Sequence, residues 1–75
     1  MFHAIEFAGD IVLDLEISRR HPLERIRVAC GTRLHAQLRP YVIEADEGPI
    51  EVADLYFEDG TVGRTVRFAA FAFVD

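Results

Sequence analysis

The stretch IEVADLYFEDGTVGRTVRF, from Ile50 to Phe68, reads as a β-hairpin. Two short runs, Ile50–Phe57 and Thr61–Phe68, flank Glu58-Asp59-Gly60. Glycine in the third place suits a type I turn followed by a left-handed residue, which glycine adopts without steric cost. Counting outward from Phe57 opposite Thr61 places Asp54 opposite Arg64, Glu51 opposite Arg67, Val52 opposite Val66 and Ile50 opposite Phe68. Each such pair adds about 0.2–1 kcal/mol. A slip of one residue would lose both charge pairs.

The segments upstream carry a period of two. In Ile11–Ser18, Ile11, Leu13, Leu15 and Ile17 alternate with Val12, Asp14, Glu16 and Ser18, which puts one face in a core and one in water. Phe2–Phe7 reads as a first strand joined to it through Ala8, Gly9 and Asp10. Glu24–Cys30 and Arg33–Arg39 also alternate and predict a second hairpin around Gly31. The competing reading is one helix over residues 22–38. Leu23, Ile26, Cys30, Leu34 and Leu38 fall near a helical stripe, and Pro22 suits a first helical turn. Gly31-Thr32 in mid-helix weighs against it. The expected fold is all-β: a small antiparallel barrel or two-layer sandwich of five to seven strands. The alternative is α+β, with the 22–38 helix packed on an antiparallel sheet.

The last segment, Phe68–Asp75, is apolar on both faces. Phe68, Ala70, Ala72 and Val74 lie on one side, and Ala69, Phe71 and Phe73 on the other. A strand of that kind is normally covered on both sides. The chain has 75 residues, 51% of them hydrophobic, and reads as one domain, residues 1–75. So small a domain buries only about 60–65% of the surface its unfolded chain exposes. The expectation is a homo-oligomer, or a chain with a fixed protein partner, whose interface is Phe68, Phe71, Phe73 and Val74.

Charge is unevenly spread. Net charge is −5, from 13 acids and 8 bases, all of the bases arginine. Residues 1–18 carry −4, residues 19–39 carry +5 and residues 40–75 carry −6. The basic middle suggests an anion-binding face of Arg25, Arg27, Arg33, His35 and Arg39, since the guanidinium fork suits phosphate and carboxylate. Such a face is one alternative function, a nucleic-acid or anion-binding β-module. Overall acidity and the lack of lysine or interleaved aromatics argue against nucleic acid. The plainer reading neutralises these arginines on neighbouring strands, Glu16 against Arg27 and Ser18 near Arg25. Another alternative is an acidic inhibitor or decoy that docks a basic partner through Asp46, Glu47, Glu58 and Asp59.

Chemistry is sparse. Cys30, the single cysteine, excludes an internal disulfide and any multi-cysteine metal site. Its alternation with Ile26 and Val28 predicts a buried thiol. His3, His21 and His35 share no ligand spacing. They read as a strand, a turn and a surface residue, and no metal or cofactor is expected. Ser18, the single serine, lacks the surroundings of an activated nucleophile. The chain is expected not to be an enzyme. No stretch reaches the roughly 18–20 apolar residues of a membrane span. Met1–Asp10 has neither the basic residue nor the long apolar run of a secretory leader. A cytoplasmic protein is expected.

Overall fold

The computed structural model describes residues 1–17 and 24–74. The readings that fall on Ser18, His21 and Pro22 lie outside these. The described residues form seven strands: β1 (His3–Phe7), β2 (Ile11–Glu16), β3 (Glu24–Val28), β4 (Arg33–Ala45), β5 (Gly48–Phe57), β6 (Val62–Arg67) and β7 (Phe71–Phe73). One 3₁₀ turn, η1 (Phe68–Ala70), precedes β7. All pairings are antiparallel, in a single sheet of order β3-β2-β6-β5-β4-β1-β7. The all-β expectation holds. The 22–38 helix does not form, because β3 and β4 occupy most of that span.

The connections dictate the shape. β1 and β2, β3 and β4, and β6 and β7 follow one another in the chain but stand four positions apart in the sheet. Four spacings of a flat sheet measure about 19 Å. The connections Ala8–Asp10 and Phe68–Ala70 have three residues each, and the connection from Ala29 to Thr32 has four. Three residues cover four Cα–Cα steps, about 15 Å when fully stretched. The sheet must therefore curl until these ends meet, and it forms a half-barrel. Hydrogen bonds stitch the meeting point. Phe7 N–H donates to Thr32 O (3.0 Å), Gly31 N–H to Phe7 O (2.8 Å), and Ala8 N–H to Ala70 O (2.9 Å). The Asp10 carboxylate accepts the Cys30 N–H at 2.7 Å.

The curl gives every strand a share of one core. Ile5, Phe7, Leu13, Leu15, Val28, Ala36, Ala53, Leu55, Val66 and Phe71 form a single buried cluster. Leu34, Leu38, Phe57 and Phe68 pack on it from partly buried positions.

The 29–32 turn corrects the hairpin expected around Gly31. Both flanks are strands, but β3 pairs only with β2, and β4 pairs with β5 and β1. Thr32 N–H closes the turn on Ala29 O at 3.1 Å, and Gly31 sits at φ 84°, where glycine is unstrained. The bonds of Gly31 and Thr32 to Phe7 hand the chain to β1 rather than fold it back on β3. Cys30 is exposed, not buried. The alternation of β3 stops at Val28, and Cys30 belongs to the turn.

The β5–β6 hairpin forms as read near its turn, with Tyr56 opposite Val62 and Leu55 opposite Gly63. Beyond that the register shifts. Ala53 lies opposite Val66 and Val52 opposite Arg67, so Arg64 and Thr65 together oppose Asp54. This is a β-bulge, with Thr65 at φ 55°. The expected pairs Val52–Val66, Glu51–Arg67 and Ile50–Phe68 are each displaced by it. Arg67 reaches Glu47 instead, at 3.7 Å. The β2–β3 register also differs from expectation by four residues, with Asp14 opposite Arg25 and Val12 opposite Arg27. Glu16 is thereby left to β6.

Candidate functional site

Among the described residues, a polar cluster over the bulge, a cleft beside β3 and the edge of β7 carry chemistry or exposed apolar surface.

The cluster draws on four adjacent strands. A bulge leaves a backbone N–H without a ladder partner, and here Thr65 N–H donates to Asp54 Oδ1 at 2.9 Å. The Tyr41 hydroxyl donates to the same oxygen at 2.8 Å and lies 2.8 Å from Thr65 Oγ1. Arg64 Nη1 donates to Asp54 Oδ2 at 2.8 Å. Arg64 Nε donates to Glu16 at 2.9 Å, and Nη2 donates to the same carboxylate. Asp54 is only 7% exposed. Burial pushes its carboxyl up, but the Thr65 N–H, the Tyr41 hydroxyl and the Arg64 guanidinium outweigh burial and hold it below its ordinary 3.8. Glu16 and Asp54 in turn push Arg64 up, against a smaller opposing effect of burial. Asp54 spends both carboxylate oxygens within the cluster. The cluster's chemistry is that of a clasp holding β2, β4, β5 and β6.

The cleft, about 430 Å³, has Leu13, Leu15, Ile26, Leu34 and Phe57 among its lining residues. Arg33 and His35 border it, as do Glu58, Asp59 and Thr61. Asp59 is engaged within its own turn. It accepts the Thr61 hydroxyl (2.7 Å) and N–H (3.0 Å), which hold its carboxyl below the ordinary range.

Of the four described arginines of the basic middle, two are ion-paired. Arg25 Nε pairs with Asp14 at 3.0 Å and Arg33 Nε with Glu6 at 2.8 Å. Arg27 and Arg39 make no ion pair among the described residues. The strands bearing these arginines do not pair, so Arg25 and Arg27 on β3 stand apart in the sheet from Arg33, His35 and Arg39 on β4. Among the described residues, no group of three or more His, Cys, Asp or Glu side chains is placed to hold a metal. No helix among them is long and apolar enough to cross a membrane.

The C-terminal segment divides. Phe68 lies in η1, partly buried, and Phe71 is 7% exposed in the core, so its ring is not available at a surface. Phe71 stacks edge-on against Phe7 with centroids 6.4 Å apart. Phe73 is 52% exposed and Val74 and Phe2 are 40% exposed each. The Phe73 ring meets Phe71 edge-on at 6.1 Å and His3 at 5.4 Å. Among the described residues β7 is an edge strand, bonded to β1 alone. Its two apolar faces arise because Phe71 enters the core while Ala72 faces the other way. Sequence reasoning missed Tyr41, Thr65 and Phe2. The periodicity carries no sign of the bulge that recruits the first two. In the sequence Phe2 stands only as the start of a strand.

Comparison with known protein families, curated proteins and solved structures finds no match for this chain.

Proposed function

We propose that this chain is a non-enzymatic assembly protein that associates through the open edge of β7, with a second copy of itself as partner. The contrast between the two ends of the sheet carries this reading. β3, at one end, bears Glu24, Arg25 and Arg27, charges of the kind that blunt a sheet edge. β7, at the other, is Phe71-Ala72-Phe73, with no charge and no proline. An unprotected apolar edge invites strand addition. Phe73 and Val74 supply exposed apolar surface along it. A cytoplasmic setting belongs to the same reading, since an exposed, unpaired Cys30 suits a reducing compartment.

The test is native mass by light scattering over a range of concentration. The wild-type chain is expected to be oligomeric and Phe73→Glu monomeric with unchanged circular dichroism. A wild-type chain that stays single at high concentration overturns the proposal.

A further inference from the structure

The backbone of β7 specifies how the second copy sits. This inference rests on the reading that β7 self-associates and adds the geometry of the contact. Along an antiparallel strand, successive residues direct their N–H and C=O groups alternately to the two sides. Val74 N–H donates to Ala4 O at 3.0 Å and Ala8 N–H to Ala70 O at 2.9 Å. Ala72 lies between them, opposite Glu6. Ala70, Ala72 and Val74 therefore turn their backbone groups toward β1. Phe71 and Phe73 turn theirs toward the open edge. Phe71 N–H is already committed, since it donates to Phe68 O and closes η1.

Among the described residues, Phe73 is thus the one residue of β7 that offers the open edge both an N–H and a C=O without a partner. A symmetric pairing centred on Ala72 would set Phe73 opposite the partner's Phe71. The Phe73 carbonyl would then meet an N–H that is already spent. A pairing centred on Phe73 uses both groups. We propose that two copies join β7 to β7 in antiparallel fashion, with Phe73 across the two-fold axis from the partner's Phe73.

The side chains agree with this register. The two Phe73 rings face each other on one side of the joined sheet. On the other side Ala72 lies opposite the partner's Val74 and Val74 opposite the partner's Ala72. These are closely spaced non-hydrogen-bonded positions, where small apolar residues pack without clash. Glu6, next to Ala72 on β1, is neutralised by Arg33 at 2.8 Å, so no unpaired carboxylate of β1 lies beside the contact. The contact is isologous, so assembly closes at two chains. Pairing β7 with the partner's β3 would instead be head-to-tail and run on as a filament.

The experiment uses full-length chains in a Cys30→Ser background. One carries Ala72→Cys, and the other Val74→Cys with a mass tag. The two are mixed, allowed to exchange and oxidised with diamide. Close cross-strand positions lie within disulfide reach. The mixed disulfide is expected to exceed either like-with-like disulfide at least tenfold. A dominant Ala72→Cys homodisulfide would show the pairing centred on Ala72 and overturn the proposed register. An oligomer by mass with no cross-link at either position would overturn it too, while leaving self-association standing. A monomeric wild-type chain would remove both.

Discussion

The Asp54 carboxylate accepts the backbone N–H of Thr65 at 2.9 Å, across a bulge in which two residues of β6 face one of β5. That bond gives a partner to an N–H the ladder has dropped. It also fixes the carboxylate where Tyr41 and Arg64 both reach it. Hydrogen bonds to a charged group contribute roughly 1.5–3 kcal/mol each, and truncation leaves their partners unpaired. Asp54→Ala is expected to cost about 2–4 kcal/mol in urea unfolding. Glu44→Ala, on the exposed part of β4, is expected to change stability by less than about 0.5 kcal/mol.

The same site predicts a pH dependence. The Asp54 carboxyl lies lower in the folded chain than its ordinary 3.8. A depressed carboxyl contributes stability in full above its unfolded value and loses it as pH falls through its folded value. The gap in stability between wild type and Asp54→Asn is therefore expected to be widest near neutrality. It is expected to narrow below about pH 4. Unfolding curves at pH 7, 5, 4 and 3 check this, and a gap that grows on acidification would contradict it.

Phe71 and Phe73 are two residues apart and face different fates. Phe71→Ala removes a core ring and is expected to cost about 3–5 kcal/mol, enough to unfold much of so small a domain. Phe73→Ala, measured at a concentration where the chain is monomeric, is expected to cost less than about 1 kcal/mol. Denaturation midpoints of the two variants, read side by side, test the division between core and edge.

Cys30 lies on a turn and is exposed. Folded protein at neutral pH is expected to react with iodoacetamide at a rate within a few-fold of the urea-unfolded chain. Mass spectrometry over time gives the rate. Strong protection in the folded state would place the thiol elsewhere.

Each copy carries a net charge of −5, while the β7 edge itself is uncharged. Added salt screens the repulsion between copies and leaves the apolar contact intact. Dimer affinity is expected to rise between about 20 and 300 mM salt. Binding of nucleic acid through the arginines would show the reverse trend.

The turn Glu58-Asp59-Gly60 was legible because its chemistry is local, and Gly60 does take the positive φ that the turn requires. The alternation of β2 and of the first half of β4 likewise showed which residues face inward, whereas β3 buries Val28 and leaves Ile26 exposed. Partners and register beyond the turn were not legible. They depend on Thr65 adopting a backbone conformation unusual for its type, and on Phe7 capturing Gly31 and Thr32. The same capture, by making the 29–32 turn a crossing point, brought Cys30 to the surface against its alternation. The surplus of apolar residues after Arg67 was visible in the sequence. How it divides, with Phe71 inside and Phe73 outside, follows from an edge position that no period of two reveals.

The pairing of Ile5 with Phe73 joins the first strand to the last. Together with the three crossings of four strand positions, it gives the fold a high contact order. Loop-closure entropy is spent before the distant contacts can repay it, which places folding in the slow, millisecond-to-second range of all-β domains. It also makes the fold cooperative, because β1 gains its second neighbour only when β7 docks. Until then β1 lies open on one side, a template for the wrong strand. Native β7 covers that edge of β1, and among the described residues its own outer edge takes no further strand.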